Sequence, residues 1–276
     1  MLEKETEYLV ECLLKSNCLE KLNISRNELS SEAAAKIAQL ISNSRCLEEL
    51  DVSHCNAGSS KIQVICKSFS NNNTLKCVNV GGNKLSREAC ESVFEAFKSS
   101  KILHTLILSK SVIGSLQVKQ IAELVKSSDS LAVLKMNDTS LNDEDSCTLF
   151  SALFHNKSLR TLDVSFNAIM GEGAKVLSQF LETNETLKRL SIFYNKIGYA
   201  EMGSVVEALE KNNSLKEFLS YGNPAGPAFK DRISALQESY RVNERIKSTM
   251  LLLRRRSDCI LSFLPRRLLL HLLTFL

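Results

Sequence analysis

The chain contains no tryptophan, and aromatic residues make up only 6% of its 276 residues. Its 44% apolar content is still high enough for a large core, so leucine and the other aliphatics must carry the packing. Nine cysteines are present, an odd number, with no C-x-x-C pair and no Cys/His cluster at metal-ligand spacing. They read as small buried apolar residues with free thiols, which fits a reducing, cytosolic-type compartment. The opening residues Met1–Glu7 lack the basic-then-apolar order of a signal peptide. No apolar run is long enough to span a membrane, because the most apolar segment, 260–276, is interrupted by Pro265, Arg266 and Arg267. Strong charge of one sign is also missing. The formal charge is +4, and residues 241–276 hold eight Lys/Arg against two Asp/Glu, so a near-neutral body carries a basic tail.

What is present is a repeat. Leu19, Leu47, Leu75, Leu103, Leu131, Leu159, Leu187 and Leu215 follow one another at 28-residue intervals without insertion or deletion. Counting each of these leucines as position 0, an apolar column stands at +3 (Leu22 to Phe218) and another at +5 (Ile24 to Ile192, with Ser220 as the exception). The spacing of two puts those side chains on one face of a short strand. Further columns at +18 (Ile37 to Ile233) and +22 (Ile41 to Leu209, then Gln237) form an i, i+4 pair, the inner stripe of a helix. Each unit is thus strand, turn, helix, turn, and no unit can bury both apolar faces unless units stack. At +8 stand Asn27, Cys55, Asn83, Ser111, Thr139, Asn167, Asn195 and Asn223, short polar residues suited to bond the backbone of the bend and to form a ladder inside the stack.

The pattern L-x-x-L-x-(L/I/V)-x-x-N-x-(I/L) plus a helix, seen in Leu159, Leu162, Val164, Asn167 and Ile169, resembles the ribonuclease-inhibitor-like class of leucine-rich repeats. The resemblance runs from residue 19 to about residue 240. It implies an α/β fold, a right-handed solenoid or horseshoe with a parallel sheet on the concave face and helices on the convex face. Members are mostly protein-binding scaffolds, found in eukaryotic cytosolic proteins and in effectors of bacteria that live inside eukaryotic cells. A cytoplasmic location is the matching expectation, the host cytosol for such an effector.

The organisation expected is a half-repeat helical cap at 1–18, eight repeats over 19–246 and a basic, apolar helical tail at 247–276. In the tail, Leu264, Pro265, Leu268, Leu269, Leu272 and Leu273 lie in a string similar to the opening helix of an F-box, which docks on an adaptor of a ubiquitin ligase. The string also resembles the end of a SOCS box, which recruits the elongin adaptors. The competing readings are a helix that caps the last repeat and a contact with an anionic membrane surface through Arg254, Arg255 and Arg256.

Outward strand positions are +2, +4 and +6, with +7 at the strand end. Units one to five offer small or mixed polar residues there. Units six to eight offer Asp163 and Phe166, then Arg189, Phe193 and Tyr194, then Glu217 and Tyr221. Exposed Phe, Tyr and Arg dominate binding hot spots, so these seven residues are the expected docking site for a protein partner on the concave face. An enzyme is not expected. The four His fall in different units, and there is no H-E-x-x-H, no Ser/His/Asp order and no phosphate-cradling glycine loop. No cofactor, metal or small-molecule substrate is implied. The solenoid has no basic stripe for nucleic acid. The alternative function is regulation of a small GTPase or a cytoskeletal protein, since some proteins with this repeat class stimulate the Ran GTPase.

Overall fold

The computed structural model describes residues 18–255, with side chains as far as Asn243. The expected N-terminal cap and the leucines of the docking string fall outside these residues. Strands β1 (Lys21–Asn23), β2 (Glu49–Asp51), β3 (Cys77–Asn79), β4 (Thr105–Ile107), β5 (Val133–Lys135), β6 (Thr161–Asp163), β7 (Arg189–Ser191) and β8 (Glu217–Leu219) form one sheet in sequence order. All neighbours are parallel, and the register pairs residues one repeat apart, as in Leu22 with Leu50 and Leu190 with Phe218. Between the strands run α1 (Ser31–Asn43), α2 (Ser59–Lys67), α3 (Arg87–Ser99), α4 (Ser115–Ser127), α5 (Asp143–Leu153), α6 (Gly171–Thr183) and α7 (Tyr199–Lys211). A last helix, α8 (Lys230–Arg255), follows β8.

One continuous core fills the space between sheet and helices. The +3 and +5 side chains, such as Leu134 and Met136, are buried against the helix stripe, such as Leu149 and Leu153. Cys66 and Cys90 are part of that core, and burial pushes the Cys66 thiol up and that of Cys90 up to about 12. Cys147 is half-buried.

Polar ladders satisfy the backbone that the core would otherwise strand. The Asn167 amide donates to Met136 O (2.9 Å) of the preceding unit and to Val164 O (3.1 Å) of its own. Its Oδ1 accepts from Thr139 N (3.1 Å) and Leu141 N (3.0 Å). Asn83, Asn195 and Asn223 repeat this pattern of bonding across units. A second ladder lies at the helix-to-strand turn. There Asn72, Asn156 and Asn212 donate to Ile41 O (2.7 Å), Val125 O (2.6 Å) and Leu181 O (2.7 Å) of the unit before. Buried amides thus find partners in the neighbouring unit, which ties the units together as well as filling them.

The last unit departs from the series as its sequence does. Ser220 is buried at an inward position, and Gln237 Nε2 donates to Phe218 O (2.7 Å), so α8 lies against the outer edge of β8. α8 passes residue 246 without a break, which makes the helix of unit eight and the start of the tail a single element.

Candidate functional site

The exposed face of the sheet is set by a backbone feature at +7. Arg26, His54, Gly82, Lys110, Asp138, Phe166, Tyr194 and Gly222 all have positive φ, between 50° and 74°. Each strand is only three residues long, and the left-handed residue that follows turns its side chain outward beside that at +6. Units seven and eight therefore open two adjacent positions at this end of the sheet, +6 and +7, where strand alternation alone would give one; in units two, three and six the small residue at +6 (Ser53, Gly81, Ser165) is buried.

Four rings occupy those positions in units six to eight. Phe166 lies over Tyr194, with centroids 4.8 Å apart and planes 8° apart. Phe193 lies over Tyr221 at 4.7 Å and 12°. Each stacked pair is one repeat apart in sequence, and the separations match the spacing of neighbouring strands, about 4.8 Å. The two stacks meet edge to face, Phe166 with Phe193 at 5.1 Å and Tyr194 with Tyr221 at 5.6 Å. Offset stacks and edge contacts are the favoured arrangements of ring quadrupoles. The Tyr194 ring lies down on Gly222, where a Cβ would come within 2.6 Å of it. Despite these contacts the rings face water, with Phe166 48%, Tyr194 50% and Tyr221 55% exposed and Phe193 half-buried.

The charged residues expected in the site are engaged with other groups of the same face. Arg189 pairs with Glu217 at 3.2 Å, four residues from Phe193 along the chain. Asp163 accepts from Ser165 N (3.1 Å) and from the Ser165 hydroxyl. The structure thus brings the four aromatics together, and leaves Asp163, Arg189 and Glu217 as a flank already provided with partners. In the first half of the sheet the polar residues also satisfy one another. Lys21 pairs with Glu49 at 2.8 Å, whose hydrogen bond and charge raise the lysine pKa, and Asn79 donates to Asp51 at 2.9 Å. Ser109 donates to Asn137. The rings are the most exposed apolar side chains of this face, beside the half-buried Cys77, Ile107, Val133 and Leu219.

Sequence reasoning found the residue types and missed the device that aims them. The left-handed position is filled by Arg, His, Gly, Lys, Asp, Phe, Tyr and Gly, so no residue type marks it. The 28-residue spacing of Phe166 to Tyr194 and of Phe193 to Tyr221 was the available signal for the stacks. Among the described residues no group of three or more His, Cys, Asp or Glu is placed to hold a metal ion. Nor is any described helix long and apolar enough to cross a membrane.

A leucine-rich repeat model matches residues 15–38, 43–58, 71–94, 155–178 and 183–200. No curated protein matches the chain in sequence. Among solved structures, the chain is similar to the actin-binding site 2 of leiomodin-1, at 18% identity over 52% of this chain and 83% of that one, with a TM-score of 0.45. It is also similar to the tropomodulin C-terminal domain of Caenorhabditis elegans, at 16% identity over 55% of this chain and 93% of that one, with a TM-score of 0.44.

Proposed function

The chain is a leucine-rich-repeat protein, and we propose that it acts as a protein-binding scaffold that seats its partner on the ring cluster of Phe166, Phe193, Tyr194 and Tyr221. One observation carries this reading. Four rings from three successive units stack in two pairs, yet Phe166, Tyr194 and Tyr221 remain 48%, 50% and 55% exposed. A contiguous aromatic patch left open to water is characteristic of a surface used for binding. Recruitment of a ubiquitin-ligase adaptor through the tail, a role as an effector in a host cell, and regulation of a small GTPase or cytoskeletal protein are finer readings. They differ in the partner held on this face, and the first adds a second contact through the tail.

The test compares proteins captured by the full chain, by Phe193→Ala with Tyr194→Ala, and by Glu49→Lys with Asp51→Lys, after circular dichroism shows each folded. Loss of two buried aromatic anchors costs about 2 kcal/mol or more, roughly thirtyfold in affinity. A specific partner should therefore disappear with the first pair and persist with the second. If it persists with the first pair and disappears with the second, the docking surface lies in units one and two.

A further inference from the structure

The sheet ends at β8 with a row of backbone groups that in every earlier unit is covered by the next. In units six and seven the amides at +5 and +7 donate forward, Val164 N to Ser191 O and Phe166 N to Phe193 O at 2.9 Å, Ile192 N to Leu219 O and Tyr194 N to Tyr221 O at 2.8 Å. The equivalent amides in unit eight belong to Ser220 and Gly222, and among the described residues neither has a partner. Ser220 is only 4% exposed, and a buried amide left unpaired costs about 1–3 kcal/mol. Beside these amides runs a groove of about 400 Å³ between β8 and α8, lined by Leu219, Tyr221, Pro227 and Ile233, with Lys230 and Ser234 on its helical wall.

We propose that this groove is the seat of the chain's own segment Leu264–Leu276, which covers the open side chains of Leu219 and Pro227 with leucine side chains and offers backbone carbonyls to the Ser220 and Gly222 amides. Reach selects the segment. The helical wall of the groove, Lys230 to Gln237, lies 18–25 residues before the end of α8 at Arg255, or about 27–38 Å along a straight helix. An extended chain advances at most about 3.3–3.6 Å per residue, so roughly 8–11 residues are needed to return. Residues from about 264 onward can therefore arrive. Composition points to the same residues: seven leucines and Phe275 stand within Leu264–Leu276, the most apolar stretch of the sequence, and such a stretch is unfavourable in water. Tethering raises its effective concentration at the groove into the millimolar range, which no separate partner matches without high affinity. Pro265 suits an outermost segment, because it brings no N–H to a new sheet edge.

The experiment uses the full chain with a benzophenone amino acid at Ser234, an exposed residue of the groove. Irradiation should join it, within one chain, to a peptide from 264–276, and amide exchange at Ser220 and Gly222 should be slow. Full-length chain carrying Leu268→Asp and Leu272→Asp should lose the crosslink and exchange those two amides about tenfold faster or more. The amides of Ile192 and Tyr194 should keep their protection in that variant, which shows the sheet intact. Crosslinks between two chains, crosslinks that avoid 264–276, or equal exchange at Ser220 and Gly222 in both proteins would overturn the proposal.

Discussion

Tyr194 and Phe193 are neighbours in one cluster, yet their backbones ask opposite things of a substitution. Tyr194 has φ +50°, a conformation in which a Cβ crowds the following carbonyl, whereas Phe193 is outside the left-handed region. Replacing Tyr194 by Ala keeps that strain, and replacing it by Gly removes about 1–2 kcal/mol of it while adding about 0.5–1 kcal/mol of unfolded-state entropy. Tyr194→Gly should therefore be more stable than Tyr194→Ala by about 0.5–1 kcal/mol. At Phe193 the order should reverse, with the glycine variant the weaker. Urea midpoints for the four proteins measure both differences. Both Tyr194 variants lose the ring and should lose partner binding to the same degree, which separates the backbone effect from the side-chain effect. If glycine were the less stable choice at both positions, strain at +7 would not be part of the site's energetics.

At the scale of elements, α6 starts without a cap of its own, since Met170 has no side chain able to accept a hydrogen bond there. Asp143, the first residue of α5, supplies the cap from the neighbouring unit. Its Oδ1 accepts from Met170 N (2.8 Å) and Gly173 N (2.9 Å), and its Oδ2 accepts from Glu172 N (3.1 Å). A carboxylate that takes up three otherwise unpaired amides at a helix N-terminus contributes more than an ordinary cap. Asp143→Ala should cost about 2 kcal/mol and Asp143→Asn about half of that, measured by denaturant unfolding. A change within experimental error for the alanine variant would show the cap to be idle. This contact also marks the limit of what the sequence discloses. The strand face and helix stripe were legible because each is a periodic choice of apolar residues repeated in eight phased copies, and the +8 ladder was legible because Asn recurs. The Asp143 cap occurs once and joins a side chain to the backbone of another unit, so nothing periodic announces it. The left-handed column is a constraint on φ that residues from Arg to Phe satisfy. The partners of Asp163, Arg189 and Glu217 depend on which polar group happens to stand one strand away.

Across the whole molecule, stability is shared along the stack, and a fault in the middle should travel. Leu134 lies at the centre of β5, fully buried, in register with Leu106 on one side and Leu162 on the other. A carboxylate placed there has no cation within the core to pair with, and an unpaired buried charge costs several kcal/mol. The flanking units cannot simply remain folded beside a disordered one, because their ladder amides and +3 side chains are satisfied across the shared interfaces. Leu134→Asp should therefore open units four to six together, with new protease cuts on both sides of β5 and a loss of helical signal larger than one unit's share. The ring cluster should suffer as well, since Phe166 stands in unit six. Lys135→Asp is the control, one residue along and exposed, and should leave the melting temperature within a few degrees of the parent. Cuts confined to unit five, with the rest of the chain melting as before, would mean that the repeats fold as independent units rather than as one cooperative stack.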